Sequence, residues 1–219
     1  QKYGLSPEEL KAIIGSYEAL MIRSGTQVTS EVLEAAKNLK IIGRAGVGVD
    51  NVDVTFATKR GVLVVNSPGG NTIAAAEHAL ALLLALSRHI PQAHASTING
   101  NWDRKKYVGN ELYKKTLGVV GLGKIGSHVA KVANAMGMEV IAFDPFISAE
   151  RAQQIQVSLK SIEDLFKCSD YISLHLPRTK ETENLVDKSL LATMKSTARL
   201  VNCARGGIIN EDALAEAVE

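Results

Sequence analysis

Apolar residues along this chain fall into two rhythms. Short, mostly apolar runs occur at 19–22, 40–43, 62–65, 117–120, 140–143, 170–174 and 199–202, and each predicts a strand, the first of them buried. Between them, apolar residues recur every three or four positions. That spacing predicts helices over 7–14, from Thr29 or Ser30 onward, over about 52–59, 72–90, 124–136, 149–155, 161–166 and 188–194, and after Asn210. Ser6-Pro7-Glu8-Glu9 is a helix start in itself: serine caps, proline fits the first helical position, and Glu9 can close a capping box. Helix 72–90, capped by Asn71, is apolar around most of its circumference, so it must be buried on several sides. A subunit interface is one natural place for that. Pro91 and a polar segment, 92–108, follow it. Strands alternating with helices at this spacing imply an α/β fold on parallel sheets, whose ligands bind beyond the carboxyl ends of the strands.

One stretch carries chemistry. The run 117–120 ends in Gly121-Leu122-Gly123-Lys124-Ile125-Gly126. Ile125, Val129, Val132, Ala133 and Met136 then keep helical spacing until Gly137, and the run 140–143 ends in Asp144. Gly121 permits the tight turn, Gly123 allows close approach of a pyrophosphate, and Gly126 lets the helix pack close to the strand. Free N–H groups at the helix start hold the phosphates. Asp144, 18 residues beyond Gly126, can accept hydrogen bonds from a ribose and would repel a 2′-phosphate, so NAD is expected rather than NADP.

Composition narrows the rest. The chain has 219 residues, 46% hydrophobic and 22% charged, and a net charge of +2 without a long basic run, so no nucleic acid partner is indicated. The most apolar window, 73–86, is short and contains Glu77 and His78, so no membrane span is expected. Cys168 and Cys203 suggest no disulfide framework and fit a reducing compartment. Cys203 has no readable base beside it and is expected to be a packed thiol. His78, His89, His94, His128 and His175 are expected to be structural or solvent-facing. The sequence begins without methionine and stops inside a helical pattern, so both ends look cut.

The segments RSGT (23–26), GRAGVGVDNVD (43–53), NSPGGNTIAAAEHALALLLALSR (66–88), WDRKKYVGNELYKKTLGVVGLGKIG (102–126), SLHLP (173–177) and NCARGGIINEDAL (202–214) resemble the D-2-hydroxy acid dehydrogenases. The resemblance runs along essentially the whole chain. It implies a Rossmann-type doubly wound parallel sheet over 69–219 and a smaller flavodoxin-like α/β substrate-binding domain over 1–68, each partial. It implies NAD as cofactor and a phosphorylated 2-hydroxy acid as substrate. Arg205 would hold the substrate carboxylate through its planar fork. The glutamate and histidine that complete the family's proton-transfer machinery would lie beyond Glu219, so the 219-residue chain is expected to bind NAD with little turnover.

Other positions follow from the same resemblance. Lys124 and Ile125 match residues whose amides meet the pyrophosphate, and Leu176, Pro177, Cys203, Ala204 and Val47 match positions bordering the cofactor. Arg23, Ser24, Arg44 and Gly46 match positions around the substrate, with Lys105 or Lys106 reaching in from a neighbouring subunit. Trp102 would sit at the subunit contact, and a homodimer or higher homo-oligomer would form through 71–108. The location would be cytoplasmic, or plastid in a photosynthetic eukaryote. Two alternatives stay open: a family member acting on glycerate, glyoxylate or lactate, and an NAD-responsive binding protein like the transcriptional corepressors of this fold.

Overall fold

Ser6 and Glu9 close the first helix as the capping pattern predicts. Ser6 Oγ accepts from the Glu9 amide at 3.2 Å, and Glu9 Oε2 accepts from the Ser6 amide at 3.0 Å. The computed structural model describes residues 5–218. They form two compact units, which divide between Asn71 and Thr72.

The first unit contains α1 (Pro7–Ile14), β1 (Ala19–Ile22), α2 (Ser30–Ala35), β2 (Ile41–Arg44), α3 (Val54–Lys59) and β3 (Leu63–Asn66). Its sheet is parallel in the order β1-β2-β3, with Ile22, Arg44 and Asn66 in register at the carboxyl ends. Leu10, Ile14, Val32, Leu33 and Ala57 from the helices bury Ile22 and Ile42 from the strands. Strand β1 is not the buried strand expected from its composition. It lies at the sheet edge, and alternation sends Ile22 into the core while Met21 stays 84% exposed. Leu63 and Val65 of β3 are exposed in the same way.

The second unit opens with α4 (Thr72–Arg88), α5 (Ile90–Ile98) and a short 3-10 turn at Arg104–Tyr107. Alternation then gives β4 (Thr116–Val120), α6 (Lys124–Ala135), β5 (Glu139–Phe143), α7 (Ala149–Gln154), β6 (Ser158–Leu159), α8 (Ile162–Cys168), β7 (Tyr171–Leu174), α9 (Lys188–Ala192), β8 (Arg199–Asn202) and α10 (Glu211–Val218). All five strands are parallel, in the order β6-β5-β4-β7-β8. The chain therefore leaves β4 in one direction to β5 and later returns on its other side as β7. That reversal opens a crevice at the carboxyl end of β4, the usual ligand position in such sheets. Leu117 and Val119 pack with Leu83, Val129 and Ala133, whereas Val120 packs with Leu165, Phe166 and Ile208, so both faces of the sheet are covered.

One expectation is corrected here. The predicted helix 72–90 ends at Arg88, and a second helix covers Ile90–Ile98, where 91–98 reads as connection in the sequence. His89 adopts a left-handed conformation at φ 52°, and the two helices meet at 64°. Pro91 sits in the first turn of α5, where its missing N–H is harmless. Within one chain, helix α4 buries Ala76, Ala79, Leu80, Leu83 and Ser87, while Ile73, Leu82, Leu84 and Leu86 remain 37–50% exposed. Among the described residues no single helix is long and apolar enough to cross a membrane.

Candidate functional site

The glycine turn sits at the reversal point, between β4 and α6. Gly121 has φ 92°, and a Cβ there would lie 2.8 Å from the His175 carbonyl oxygen and 2.9 Å from Leu176 Cδ2. A Cβ on Gly126 would lie 1.9 Å from the Gly121 carbonyl oxygen. The first turn of α6 therefore rests on the backbone of the loop before it. Nothing lies within 4 Å of a Cβ built on Gly123, the N-cap, so that position faces open space. No side chain caps α6. The amides of its first turn have no acceptor within the helix, which suits an anion.

Asp144, just past β5, braces this turn. Its Oδ2 accepts from the Leu122 amide at 2.7 Å and its Oδ1 from the Phe146 amide at 2.9 Å. A carboxylate oxygen has two acceptor sites, so each oxygen keeps capacity for a ribose hydroxyl. The residues thus fit a dinucleotide: a close-packed turn, an uncapped helix start and a fixed acid on one sheet edge.

The ends of β7 and β8 complete that edge. His175 is largely buried, its Nε2 lies 2.9 Å from Ser173 Oγ, and burial pushes its pKa down to about 4. Leu176 packs into the core beside it and Pro177 is exposed. After β8, Asn202 shapes the loop: its Oδ1 accepts from the Ala204 amide at 3.0 Å, and its Nδ2 donates to the Arg205 carbonyl at 2.8 Å. Arg205 Nη1 donates to the Ala204 carbonyl at 2.8 Å. Cys203 packs against the core, and burial raises its thiol pKa, as expected for a packed thiol rather than a nucleophile.

His175 gives a testable pH dependence. Its folded pKa lies below the ordinary value near 6.5, so the unfolded chain binds the proton more tightly. Stability is therefore full above about pH 6.5 and is lost as pH falls toward 4, by ~2 kcal/mol between pH 7 and 5. Urea midpoints should fall over this range in the parent, and the fall should be absent in His175→Gln. An equal fall in both proteins would remove the assignment.

In the first unit, Arg23, Ser24, Arg44, Ala45, Gly46, Ser67, Gly70 and Asn71 line a pocket of about 560 Å³. The Arg44 side chain folds over Gly46 so closely that a Cβ there would lie 1.6 Å from Nη1. The Arg44 Nε is buried without a hydrogen-bond partner among the described residues. Buried Asn51 fixes the 23–26 loop by donating to the carbonyls of Arg23 at 2.9 Å and Thr26 at 2.6 Å. Asn66 donates to the Val47 carbonyl at 2.6 Å.

The structure thus gathers Gly121, Gly123, Lys124, Ile125, Gly126, Asp144, Leu176, Pro177, Cys203, Ala204 and Arg205 along one edge of the second unit. It gathers Arg23, Ser24, Arg44 and Gly46 in the first, where Val47 also lies. Lys105 and Lys106 join neither group; they are exposed on the 3-10 turn, with Lys106 Nζ 5.5 Å from the Tyr107 ring centroid. Sequence reading missed Asn202 and Asn51. Each stands at a strand end or turn where an Asn side chain substitutes for backbone partners, and that was the available signal.

Such a turn and acid on a doubly wound sheet define a dinucleotide-binding protein. Residues 80–219 match the D-isomer specific 2-hydroxyacid dehydrogenase, NAD binding domain, and the chain belongs to that family. It is 60% identical over 218 residues to a D-3-phosphoglycerate dehydrogenase of Synechocystis, covering 100% of this chain and 39% of that protein. A D-3-phosphoglycerate dehydrogenase of Archaeoglobus fulgidus is 56% identical over 218 residues, covering 100% and 41%. The chain thus spans about two fifths of the length of the curated relatives it matches. Among solved structures, D-lactate dehydrogenase from Aquifex aeolicus, complexed with NAD and lactic acid, matches with a TM-score of 0.88 at 32% identity, covering 98% of this chain and 63% of that one.

Proposed function

We propose that the chain is part of an NAD-dependent dehydrogenase that oxidises 3-phospho-D-glycerate to 3-phosphohydroxypyruvate, the first step of serine synthesis. The observation that carries the substrate reading is the buried, acceptor-less Nε of Arg44, in a pocket shared with Arg23. A buried donor without an acceptor is costly, and a phosphate or carboxylate oxygen would relieve it. The Ser24 hydroxyl is a further donor among the residues lining the same pocket. The identity to relatives named for this reaction supports the same substrate.

Oxidation takes a hydride from C2 and a proton from the C2 hydroxyl. NAD, when bound, supplies the hydride acceptor. The amides following Gly123, including those of Lys124 and Ile125, hold its pyrophosphate, and Gly121 and Gly126 allow the turn to close behind it. Asp144 accepts from the adenosine ribose. Leu176, Pro177, Cys203 and Ala204 border the cofactor. Arg205 holds the substrate carboxylate. Lys105 or Lys106 contributes to the phosphate site of a second copy. His175, turned to Ser173, is not assigned to the proton.

The protein is further proposed to form a homodimer or higher homo-oligomer through 71–108, and to act in the cytoplasm, or in a plastid in a photosynthetic eukaryote. Exposed apolar side chains support the oligomer: Ile73, Ile90, Ile98, Trp102 and Val108 lie in that segment, with Trp102 77% exposed. Trp102 is the only tryptophan, so its emission should shift to the blue as the protein concentration rises. Concentration-independent emission from a monomer would exclude this contact.

Calorimetry and steady-state kinetics test the main reading. NAD is expected to bind far more tightly than NADP, and kcat/KM for 3-phosphoglycerate is expected to exceed that for glycerate and D-lactate by at least about a hundredfold, the range of two charge-assisted contacts. Equal kcat/KM values would favour a different family substrate. NAD binding with no turnover of any hydroxy acid by the full-length protein would favour an NAD-responsive binding protein.

A further inference from the structure

The edge of the second sheet away from the glycine turn carries another pocket. It has a volume of about 490 Å³ and is lined by Asn110, Lys115, Asp170, Tyr171, Ser196, Thr197, Ala198 and Arg199. Lys115, Asp170 and Ala198 directly precede β4, β7 and β8, three strands that are neighbours in the sheet. The pocket therefore spans the amino ends of these strands. The cofactor turn is at the carboxyl end of β4, ~15 Å away along a five-residue strand.

We infer that this pocket binds a small oxyanion, a phosphate or carboxylate group, separately from the site of hydride transfer. Its only carboxylate, Asp170, is already used: Oδ2 accepts from the Thr116 amide at 2.9 Å and Oδ1 from Lys195 Nζ at 2.9 Å. Lys115 and Lys195 both lie close enough to lower the Asp170 pKa. Among the lining residues, Lys115 and Arg199 against Asp170 leave one positive charge in excess, and Lys195 offsets the Asp170 carboxylate from outside the lining. Arg199 is held with its guanidinium carbon 5.4 Å from the Tyr171 ring centroid and donates once, from Nη1 to the Thr197 carbonyl at 3.2 Å.

The loop before β8 supplies neutral donors. Ala198 donates to the Lys195 carbonyl at 2.9 Å, so Ser196 and Thr197 are the central residues of a tight turn, and both hydroxyl-bearing residues line the pocket. The floor is rigid. Tyr171 is buried, its hydroxyl lies 2.5 Å from buried Ser87 Oγ, and Ser87 Oγ donates to the Asn110 carbonyl at 3.0 Å. With its carboxylate engaged, the pocket presents mainly donors, as an oxyanion requires. Ser87 belongs to α4, so the occupied pocket adjoins a helix of the proposed oligomer segment.

Titration of the protein with inorganic phosphate, and separately with succinate, followed by amide NMR shifts, tests this. Saturable shifts at residues 110, 115 and 196–199 are expected with a Kd below ~1 mM, and the tighter ligand identifies the headgroup. Lys115→Gln and Arg199→Gln should each weaken binding at least about fivefold. The double variant Arg23→Gln/Arg44→Gln, which alters the pocket of the first unit, should leave these shifts unchanged. Absence of saturation up to ~10 mM, or affinity unaltered in both Lys115→Gln and Arg199→Gln, overturns the inference. Lys115→Gln guards against misfolding as the cause, because Arg199 alone packs on Tyr171.

Discussion

Arg205→Ala is expected to lower kcat/KM for the hydroxy acid by about a thousandfold in the full-length protein, with NAD affinity changed less than about threefold. The first figure follows from the loss of a preorganised charged donor at the reacting group, which costs ~10²–10³ in rate for a neutral donor and more for a bidentate cation. The second follows from the local wiring. Asn202 holds the loop through the Ala204 amide and the Arg205 carbonyl, and both contacts are to backbone, so truncating the Arg205 side chain leaves them in place. Arg205→Lys should recover little, because a single ammonium cannot reproduce the planar fork. Steady-state kinetics combined with calorimetry separate the two quantities. An unchanged rate would remove Arg205 from the reaction, and a parallel loss of NAD affinity would make it a cofactor ligand instead.

The turn that supports this reading was legible because its chemistry is local. Strand, glycines, helix and acid lie within residues 116–144, and each glycine answers a short-range demand: backbone sign at Gly121, close approach at Gly126. The caps at Ser6, Thr29 and Asn210 were legible for the same reason. Element boundaries moved by one or two residues where the end is set by a partner strand. Ile41–Arg44 replaces 40–43 because its register follows Ala19–Ile22.

Non-local features escaped. Whether Met21 is buried depends on which sheet face the helices cover, and a four-residue apolar run holds no record of that. The break at His89 rests on one left-handed residue ahead of a proline that fits either a loop or a helix start. Strand β6, two residues long and begun by a serine, exists because β5 offers an open edge. In the site, the roles of Asn51 and Asn202 depend on carbonyls brought near by folding. The grouping of Arg23, Ser24, Arg44 and Gly46 came from the family resemblance and not from spacing, and the buried Nε of Arg44 required the side chain to curl over Gly46.

Paired glycine substitutions distinguish the turn's fold from its binding. Gly126→Ala places a methyl 1.9 Å from the Gly121 carbonyl oxygen, which is backbone and cannot swing aside. The helix start must shift, at a cost of about 1–3 kcal/mol typical of overpacking, and the amides that face the pyrophosphate shift with it. NAD affinity should fall at least about a hundredfold and the melting temperature by several degrees. Gly123→Ala is different in kind. Its φ of −63° suits alanine and no atom lies within 4 Å, so stability should change by less than about 1 kcal/mol, the scale of an N-cap replacement. Its methyl nevertheless enters the space required by the phosphates, so NAD affinity should still fall by at least about tenfold. Calorimetry and thermal melts on the two variants decide between the possibilities. If Gly123→Ala binds NAD as the parent does, the pyrophosphate does not lie against that backbone, and the assignment of the turn as its cradle fails.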